Sequence, residues 1–200
     1  MNIKALKESI EGVDIYIIDQ ILKDRYPIGS KILDAGCGSS RNLKWFYNSG
    51  FQTYGIDINL EDIQYCKELY KLQNENFSVA SVDQMSFESN TFNHVICNAV
   101  LHFAKDLSHF TQMLNELMRI LKPQGSLFIR TASNFGIEDQ VKVLENGIYK
   151  LPDGSTRFLL TTNILQDIIN RECVLMIEDV KTTIVEKKRS MTTLVIEKRG

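Results

Sequence analysis

Ile3, Leu6, Ile10, Val13, Ile17 and Ile21 recur at steps of three and four along the first part of the chain, the spacing of a helix with one apolar face. Gly12 divides this run into two pieces, and Pro27 with Gly29 end it. From Lys31 the pattern changes. "KILDAG" is a short apolar strand and "NLKWFYNSG" a helix closed by Gly50. "FQTYGIDI" is a second strand, and "LEDIQYCKELYKL" carries Leu60, Ile63, Cys66, Leu69 and Tyr70 at helical spacing. "FSVASVD" predicts a third strand ending at Asp83. "FNHVICNAVLHF" predicts a fourth strand running into a loop, "FTQMLNELMRIL" a helix stopped by Pro123 and Gly125, and "SLFIRTAS" a fifth strand.

Strands and helices therefore alternate from Lys31 to Ser133. Parallel neighbours cannot be joined by tight turns, so this alternation predicts a parallel sheet with crossover helices, an α/β fold. The rhythm changes after Ser133. "YKLPDGSTRF" holds a Pro-Asp-Gly turn between two short runs and predicts a hairpin. "TTNILQDIIN" predicts a helix capped by Thr162 or Asn163. "CVLMIEDVKTTIV" and "MTTLVIEK" are two strands separated by "EKKRS", a link short enough to require antiparallel pairing. The expected organisation is one domain: an N-terminal helical cap over residues 1–30, then residues 31–200 with a lid-like insertion near 133–160.

Chemistry gathers where the strands end. Gly36 and Gly38 follow Asp34 in "ILDAGCGSSRN" and would let a ligand approach the backbone closely. The N–H groups at the start of the next helix suit an anion. Two glycines alone also fit a tight turn that binds nothing. Asp57 adds weight, because it ends the second strand about 20 residues beyond Gly38, where nucleoside-binding folds place a ribose-binding acid. Asp83 lies at the end of the predicted third strand. Three strand ends in register favour a nucleoside ligand. A dinucleotide turn would need glycine where Arg41 stands; an amino-acid carboxylate can use an arginine or serine there instead.

Composition narrows the partners. The 200-residue chain has a formal net charge of −2 and carries no global electrostatic footprint for nucleic acid; "EKKRS" reads as a solvated turn. Four isolated cysteines, without C-x-x-C or zinc-ligand spacing, suggest reduced thiols, no metal and a cytoplasmic protein. No apolar run reaches the length of a membrane span, and the N-terminus has no apolar signal core.

Taken together, "ILDAGCGSSRN", "YGIDIN", "SVDQMSF", "FNHVICNAVLHF" and "LKPQGSLFIR" resemble the successive motifs of class I S-adenosylmethionine-dependent methyltransferases, from about Lys31 to Arg130. At a finer level, "LPDGSTRFLLT" and "MTTLVIEK" are similar to small type-11 and tellurite-resistance-like methyltransferases. The resemblance implies a Rossmann-like three-layer sandwich with a mostly parallel seven-stranded sheet and an antiparallel last strand. It implies S-adenosylmethionine as cofactor and S-adenosylhomocysteine as product. Asp34, Gly36, Cys37 and Gly38 would surround the methionine part, and Arg41 would face its carboxylate. Asp57 would hold the ribose with Ile58 against the adenine. Asp83 would accept from the adenine amino group with Gln84 or Met85 nearby, and Asn98 and Ala99 would line the route to the sulfonium.

The cofactor carries the hard chemistry in such a transfer, and a base is needed only for a protonated, non-acidic nucleophile. His102 is the candidate base, balanced against a structural role, because an unperturbed histidine titrates near neutrality. His109 reads as a solvent-facing residue on a helix capped by Asp106, and His94 lies at the wrong strand end. Arg130 and Arg157 are candidate anion contacts, balanced against ordinary ion pairs, with Tyr16 and Tyr149 as lid contacts. "NAVL" lacks the Asn/Asp-Pro-Pro-aromatic turn of enzymes that methylate base amino groups. The expectation is an enzyme that methylates a small acceptor, anionic ones included. The rivals are a non-catalytic cofactor-binding module and a nucleotide-linked oxidoreductase.

Overall fold

A computed structural model describes residues 3–200. The chain begins with α1 (Ile3–Ile10) and α2 (Ile15–Leu22), separated at Gly12. β1 (Lys31–Ala35) leads through a 3₁₀ turn at Arg41–Leu43 into α3 (Lys44–Asn48), followed by β2 (Gln52–Asp57), α4 (Leu60–Leu69) and β3 (Phe77–Val79). β4 (Phe92–Asn98), α5 (Leu107–Ile120) and β5 (Leu121–Ala132) complete the alternating part. Three short strands follow: β6 (Lys142–Val143), β7 (Ile148–Lys150) and β8 (Thr156–Phe158). The chain ends with α6 (Thr162–Ile169), β9 (Val174–Met176), β10 (Lys181–Val185) and β11 (Arg189–Lys198).

The main sheet runs in the order β10-β11-β5-β4-β1-β2-β3, with β9 also paired to β11. β1 to β5 are mutually parallel and β11 is antiparallel to β5. The two faces follow from the two-residue period of a strand. Leu33, Val95, Cys97, Leu127, Ile129, Leu194 and Ile196 point to one face, where Phe110, Leu114 and Leu117 of α5 and Leu165 and Ile168 of α6 cover them. Ile32, Ile96, Phe128 and Val195 point to the other, under Ile17 of α2, Phe46 of α3 and Ile63 of α4. Near-continuous apolar strands are what a sheet buried on both faces requires. The result is the three-layer, mostly parallel α/β arrangement with an antiparallel terminal strand.

Several boundaries differ from the sequence expectation. β3 stops at Val79, so Asp83 stands four residues beyond it, after a turn in which Gln84 N–H bonds to Ser81 O. The α5-to-β5 junction leaves no loop: α5 ends at Ile120 and β5 begins at Leu121, with Gln124 left-handed at φ 63°. Thr161, rather than Thr162 or Asn163, caps α6 by accepting from Ile164 N–H. "CVLMIEDVKTTIV" breaks into β9 and β10, both on β11. The Pro-Asp-Gly hairpin forms between β7 and β8, and β6 extends it to a three-stranded sheet.

The break between β9 and β10 has a physical reason. Glu178 sits there, with only 7% of its side chain exposed. It accepts from Lys23 at 2.6 Å, Lys181 at 2.7 Å, Arg25 at 2.9 Å and Gln20 at 3.1 Å. A regular strand would not turn one carboxylate toward this many donors. Burial raises its pKa, but the hydrogen bonds from Lys181, Lys23, Arg25 and Gln20 outweigh burial and hold the carboxyl well below the usual range. Because three of these donors come from α2 and the residues after it, the cluster clamps the N-terminal helix to the far edge of the sheet. Glu178→Gln is therefore expected to cost about 3 kcal/mol near neutral pH. A depressed carboxylate pKa contributes stability above its unfolded value of 4.5 and loses it as pH falls through the folded value. Urea denaturation should show the gap between wild type and variant narrowing progressively as pH falls below about 5.

Candidate cofactor and acceptor site

β1 pairs with β4 on one side and β2 on the other, so the strand order reverses beside it. A crevice opens there at the carboxyl ends of the strands, the usual ligand position in such sheets. The chain leaves β1 through Gly36, at φ 79°. A Cβ on Gly36 would lie 2.4 Å from Val100 Cγ2, so only glycine fits. The N–H groups of Gly36 and Cys37 both bond to Ile56 O at 2.8 Å. Gly38 N–H donates to Asp57 Oδ2 at 2.8 Å, and Asn59 N–H donates to Asp57 Oδ1 at 2.9 Å. From beneath, Tyr70 Oη donates to Ser40 O at 2.7 Å and Cys66 Sγ approaches Gly38 O at 3.2 Å. The turn is thus held in shape before any ligand arrives.

A cavity of about 580 Å³ occupies the crevice. Gly36, Cys37, Gly38 and Arg41 line it from the turn, Asp57 and Ile58 from the end of β2, Asp83 from the loop after β3, and Asn98 and Ala99 from the end of β4. Its size is that of a small-molecule site. Two residues before Gly36, and not itself lining the cavity, the Asp34 carboxyl is 1% exposed; neither oxygen makes a hydrogen bond of good geometry, although the Asn42 side chain lies close by. Burial pushes the Asp34 pKa up to about 8, with Arg41 and Asn42 only partly offsetting the loss of water. Asn98 Oδ1 is likewise buried without a partner. Orphaned buried acceptors beside a pocket are costly unless a ligand completes them. A ligand bearing an ammonium or sulfonium charge fits beside these acceptors, and the glycine turn leaves room for its backbone contacts.

The remaining expected residues are divided by the structure. His109 is not a bystander: it lines the cavity, and its Nε2 lies 3.4 Å from Asp83 Oδ2. Its Nδ1 accepts Lys105 N–H at 3.1 Å, so the ring proton is on Nε2, facing Asp83. The loop containing Asp83 turns its carboxylate toward the start of α5, a contact invisible in spacing alone. Gln84 and Met85 do not line the cavity; Gln84 is exposed and Met85 is in the core under α5. His102 is also outside it. Its Nδ1 accepts Ala132 N–H at 3.3 Å, and burial, with Arg157 nearby, lowers its pKa to about 4. Burial thus moves His102 below the near-neutral range expected of it, because the ring has exchanged water for the protein interior. His94 is buried against Ser126 Oγ, 2.8 Å from its Nδ1.

Arg157 stacks its guanidinium 5.0 Å from the Phe103 ring, and Phe103 lines the cavity. Tyr149 pairs in register with Arg157 but opens onto a separate cavity of about 530 Å³ beside Asp106 and Phe158. Tyr16 and Arg130 meet at the α2 side: the Arg130 guanidinium lies 5.4 Å from the Tyr16 ring, and Tyr16 Oη bonds Thr183 Oγ1 at 2.6 Å. The sequence reading missed Asp14. It caps α2 and faces Asn98 and Arg130. Its position before an apolar helical run marked it as a cap, but nothing in the pattern pointed it at a strand end. Asn42 was also passed over, although its Oδ1 accepts Asp14 N–H at 3.1 Å.

Residues 33–129 match the family model described as a methyltransferase domain. Over 115 residues the chain is 30% identical to a probable tRNA methyltransferase 9B of Mus musculus, covering 56% of this chain and 24% of that protein. Over 179 residues it is 27% identical to a ubiquinone biosynthesis O-methyltransferase of Xanthomonas oryzae pv. oryzae, covering 83% of this chain and 71% of that one. Matches to the first four curated relatives span only 24% to 40% of their own lengths. The fold is similar to a solved S-adenosylmethionine-dependent methyltransferase of Methanosarcina mazei, with TM-score 0.73 and 19% identity over 90% of this chain and 97% of that one. Residues 33–129 are thus similar to a methyltransferase domain, and the fold is that of solved S-adenosylmethionine-dependent methyltransferases.

Proposed function

We propose that the protein transfers a methyl group from S-adenosylmethionine to a small-molecule acceptor, and that the cavity between the glycine turn and Asp83 holds the cofactor. The observation that carries this reading is a crevice at the carboxyl ends of the strands lined by the Gly36–Gly38 turn, Asp57, Asp83 and Asn98, with the buried Asp34 carboxyl two residues before that turn. When bound, the cofactor supplies an electrophilic methyl group on a positively charged sulfur. The chain's own residues bind, orient and exclude water. In this reading Asp57, already aligned by Gly38 and Asn59, takes the ribose hydroxyls. Asp83, braced by His109, takes the adenine amino group. Arg41, which also donates to Gly12 O at 3.1 Å, faces the methionine carboxylate. Asn98 and Ala99, the latter left-handed at φ 62°, flank the transfer route.

The acceptor's chemistry is bounded by the burial of His102 outside the cavity. With its pKa near 4, His102 is a weak proton acceptor near neutrality. Acceptors that are already anionic or carry a free lone pair are favoured over neutral alcohols. The net charge of −2 favours a small acceptor over nucleic acid. The ubiquinone-biosynthesis relative is named as an O-methyltransferase, consistent with an ionisable oxygen acceptor.

Three outcomes test this reading. Asp57→Ala should weaken S-adenosylhomocysteine binding at least tenfold by calorimetry, since it removes both the ribose acceptor and the brace on Gly38; unchanged affinity would sink the cofactor assignment. The ligand's positive charge should also ionise Asp34. Calorimetry at pH 7 in buffers of different ionisation enthalpy should then record release of about one proton per ligand, and Asp34→Asn should abolish it. The sign for the free protein is opposite to that of Glu178: Asp34 is ionised at 3.8 unfolded but at about 8 folded. Its contribution therefore falls as pH rises between those values. Finally, Gly36→Ala should cost about 2–4 kcal/mol through left-handed strain and the clash with Val100. Adding Val100→Ala should return only the clash share in urea melts.

A further inference from the structure

The α1–α2 connection does more than cover the sheet. Asp14 has two carboxylate oxygens with different work. Oδ1 accepts Tyr16 N–H at 2.9 Å and so caps α2. Oδ2 lies 3.3 Å from Asn98 Nδ2 and 3.5 Å from Arg130 Nη1. Charge-assisted contacts of this kind close to about 2.7–2.9 Å when both partners are free to move. Asp14 is not free, because the cap holds it. The contact is consequently loose, and it leaves Arg130 Nε and Asn98 Oδ1 buried with no partner. An arginine whose Nη1 meets a carboxylate at long range while its Nε has no partner is a bidentate site half used.

Asp14, Tyr16 and Arg130 adjoin the cavity at Asn98 rather than lining it. Asn98 lines the cofactor cavity, and Arg130 is its register partner on β5. The Tyr16 ring stacks on the Arg130 guanidinium and gives the site an aromatic wall. Resting on the methyltransferase reading, we propose that Arg130 and Asn98 bind a carboxylate of the methyl acceptor, and that Asp14 occupies this subsite in the ligand-free protein. An acceptor carboxylate, untethered, can engage Arg130 through Nε and an Nη together and displaces Asp14. Displacement is felt at the cofactor, because Asp14 N–H bonds to Asn42 Oδ1 and Gly12 O is held by Arg41. Asp14 thereby sets the threshold for acceptor entry and selects acceptors with an anionic handle.

The test uses benzoate as the probe and benzamide as its neutral isostere, each titrated by calorimetry into the full chain saturated with S-adenosylhomocysteine. Asp14→Asn retains the α2 cap and removes the competing charge; Asp14→Ser does the same with a shorter side chain. Both should bind benzoate roughly tenfold more tightly than wild type, with benzamide unchanged. Arg130→Gln should show no preference for benzoate over benzamide, alone or combined with Asp14→Asn. Equal benzoate affinity in wild type and both Asp14 variants, an equal gain for benzamide, or no benzoate binding in any protein would each overturn the proposal. The saturation step separates the two readings: failure of S-adenosylhomocysteine to bind wild type defeats the methyltransferase reading, whereas normal binding with no benzoate selectivity defeats only the subsite.

Discussion

The hydrogen bond from Gly38 N–H to the Asp57 carboxylate, at 2.8 Å, ties the loop after β1 to the end of β2. That bond can form only because Gly36 turns the chain left-handed against Val100. Once it forms, Gly38 is fixed relative to two adjacent strands, and the crevice beside β1 acquires a rigid wall. Tyr70 and Cys66 of the α4 region reinforce the same loop from below. The site is therefore built before the ligand arrives, which lowers the entropy cost of binding.

The electrostatics of the two sides of the crevice differ. On the β1 side, burial shifts the Asp34 carboxyl toward its protonated form. At the α2 side, charges are matched: Asp14 faces Arg130, and farther out Glu178 gathers Lys23, Arg25 and Lys181. The first arrangement is costly without a ligand, whereas the second fastens α2 to the edge of the sheet. The Glu178 clamp anchors the body of α2, while the loose Asp14 contact sits at its first turn. A helix held firmly along its body and weakly at its tip concentrates any rearrangement at the tip.

Much of the architecture was legible because it rests on short-range rules. The alternation from Lys31 to Ser133 required crossover helices, and Gly12 and Pro-Asp-Gly marked breaks that the structure shows. Boundaries were less legible where side-chain contacts overrode local pattern. Glu178 splits an apolar run into two strands, and β3 ends four residues before Asp83 because β2 offers β3 pairing partners only through Asp57. At the site, the positions of the glycine turn and Asp57 could be read from spacing, since they follow from where strands stop, whereas Asp83 lies four residues past its strand. His109 could not be read in this way, because its contact with Asp83 joins a loop to the first turn of α5, 26 positions away by chain number.

The order of apolar and polar residues was enough to establish an α/β sheet, its glycine-bounded turn and the acids on its ligand edge, because period and turn chemistry are local properties of the chain. The raised pKa of Asp34, the lowered pKa of His102 and the pairing of Asp14 with Arg130 depended on the folded arrangement. Burial and the approach of groups distant in sequence set a side chain's charge and partners, and neither is written in the residues next to it.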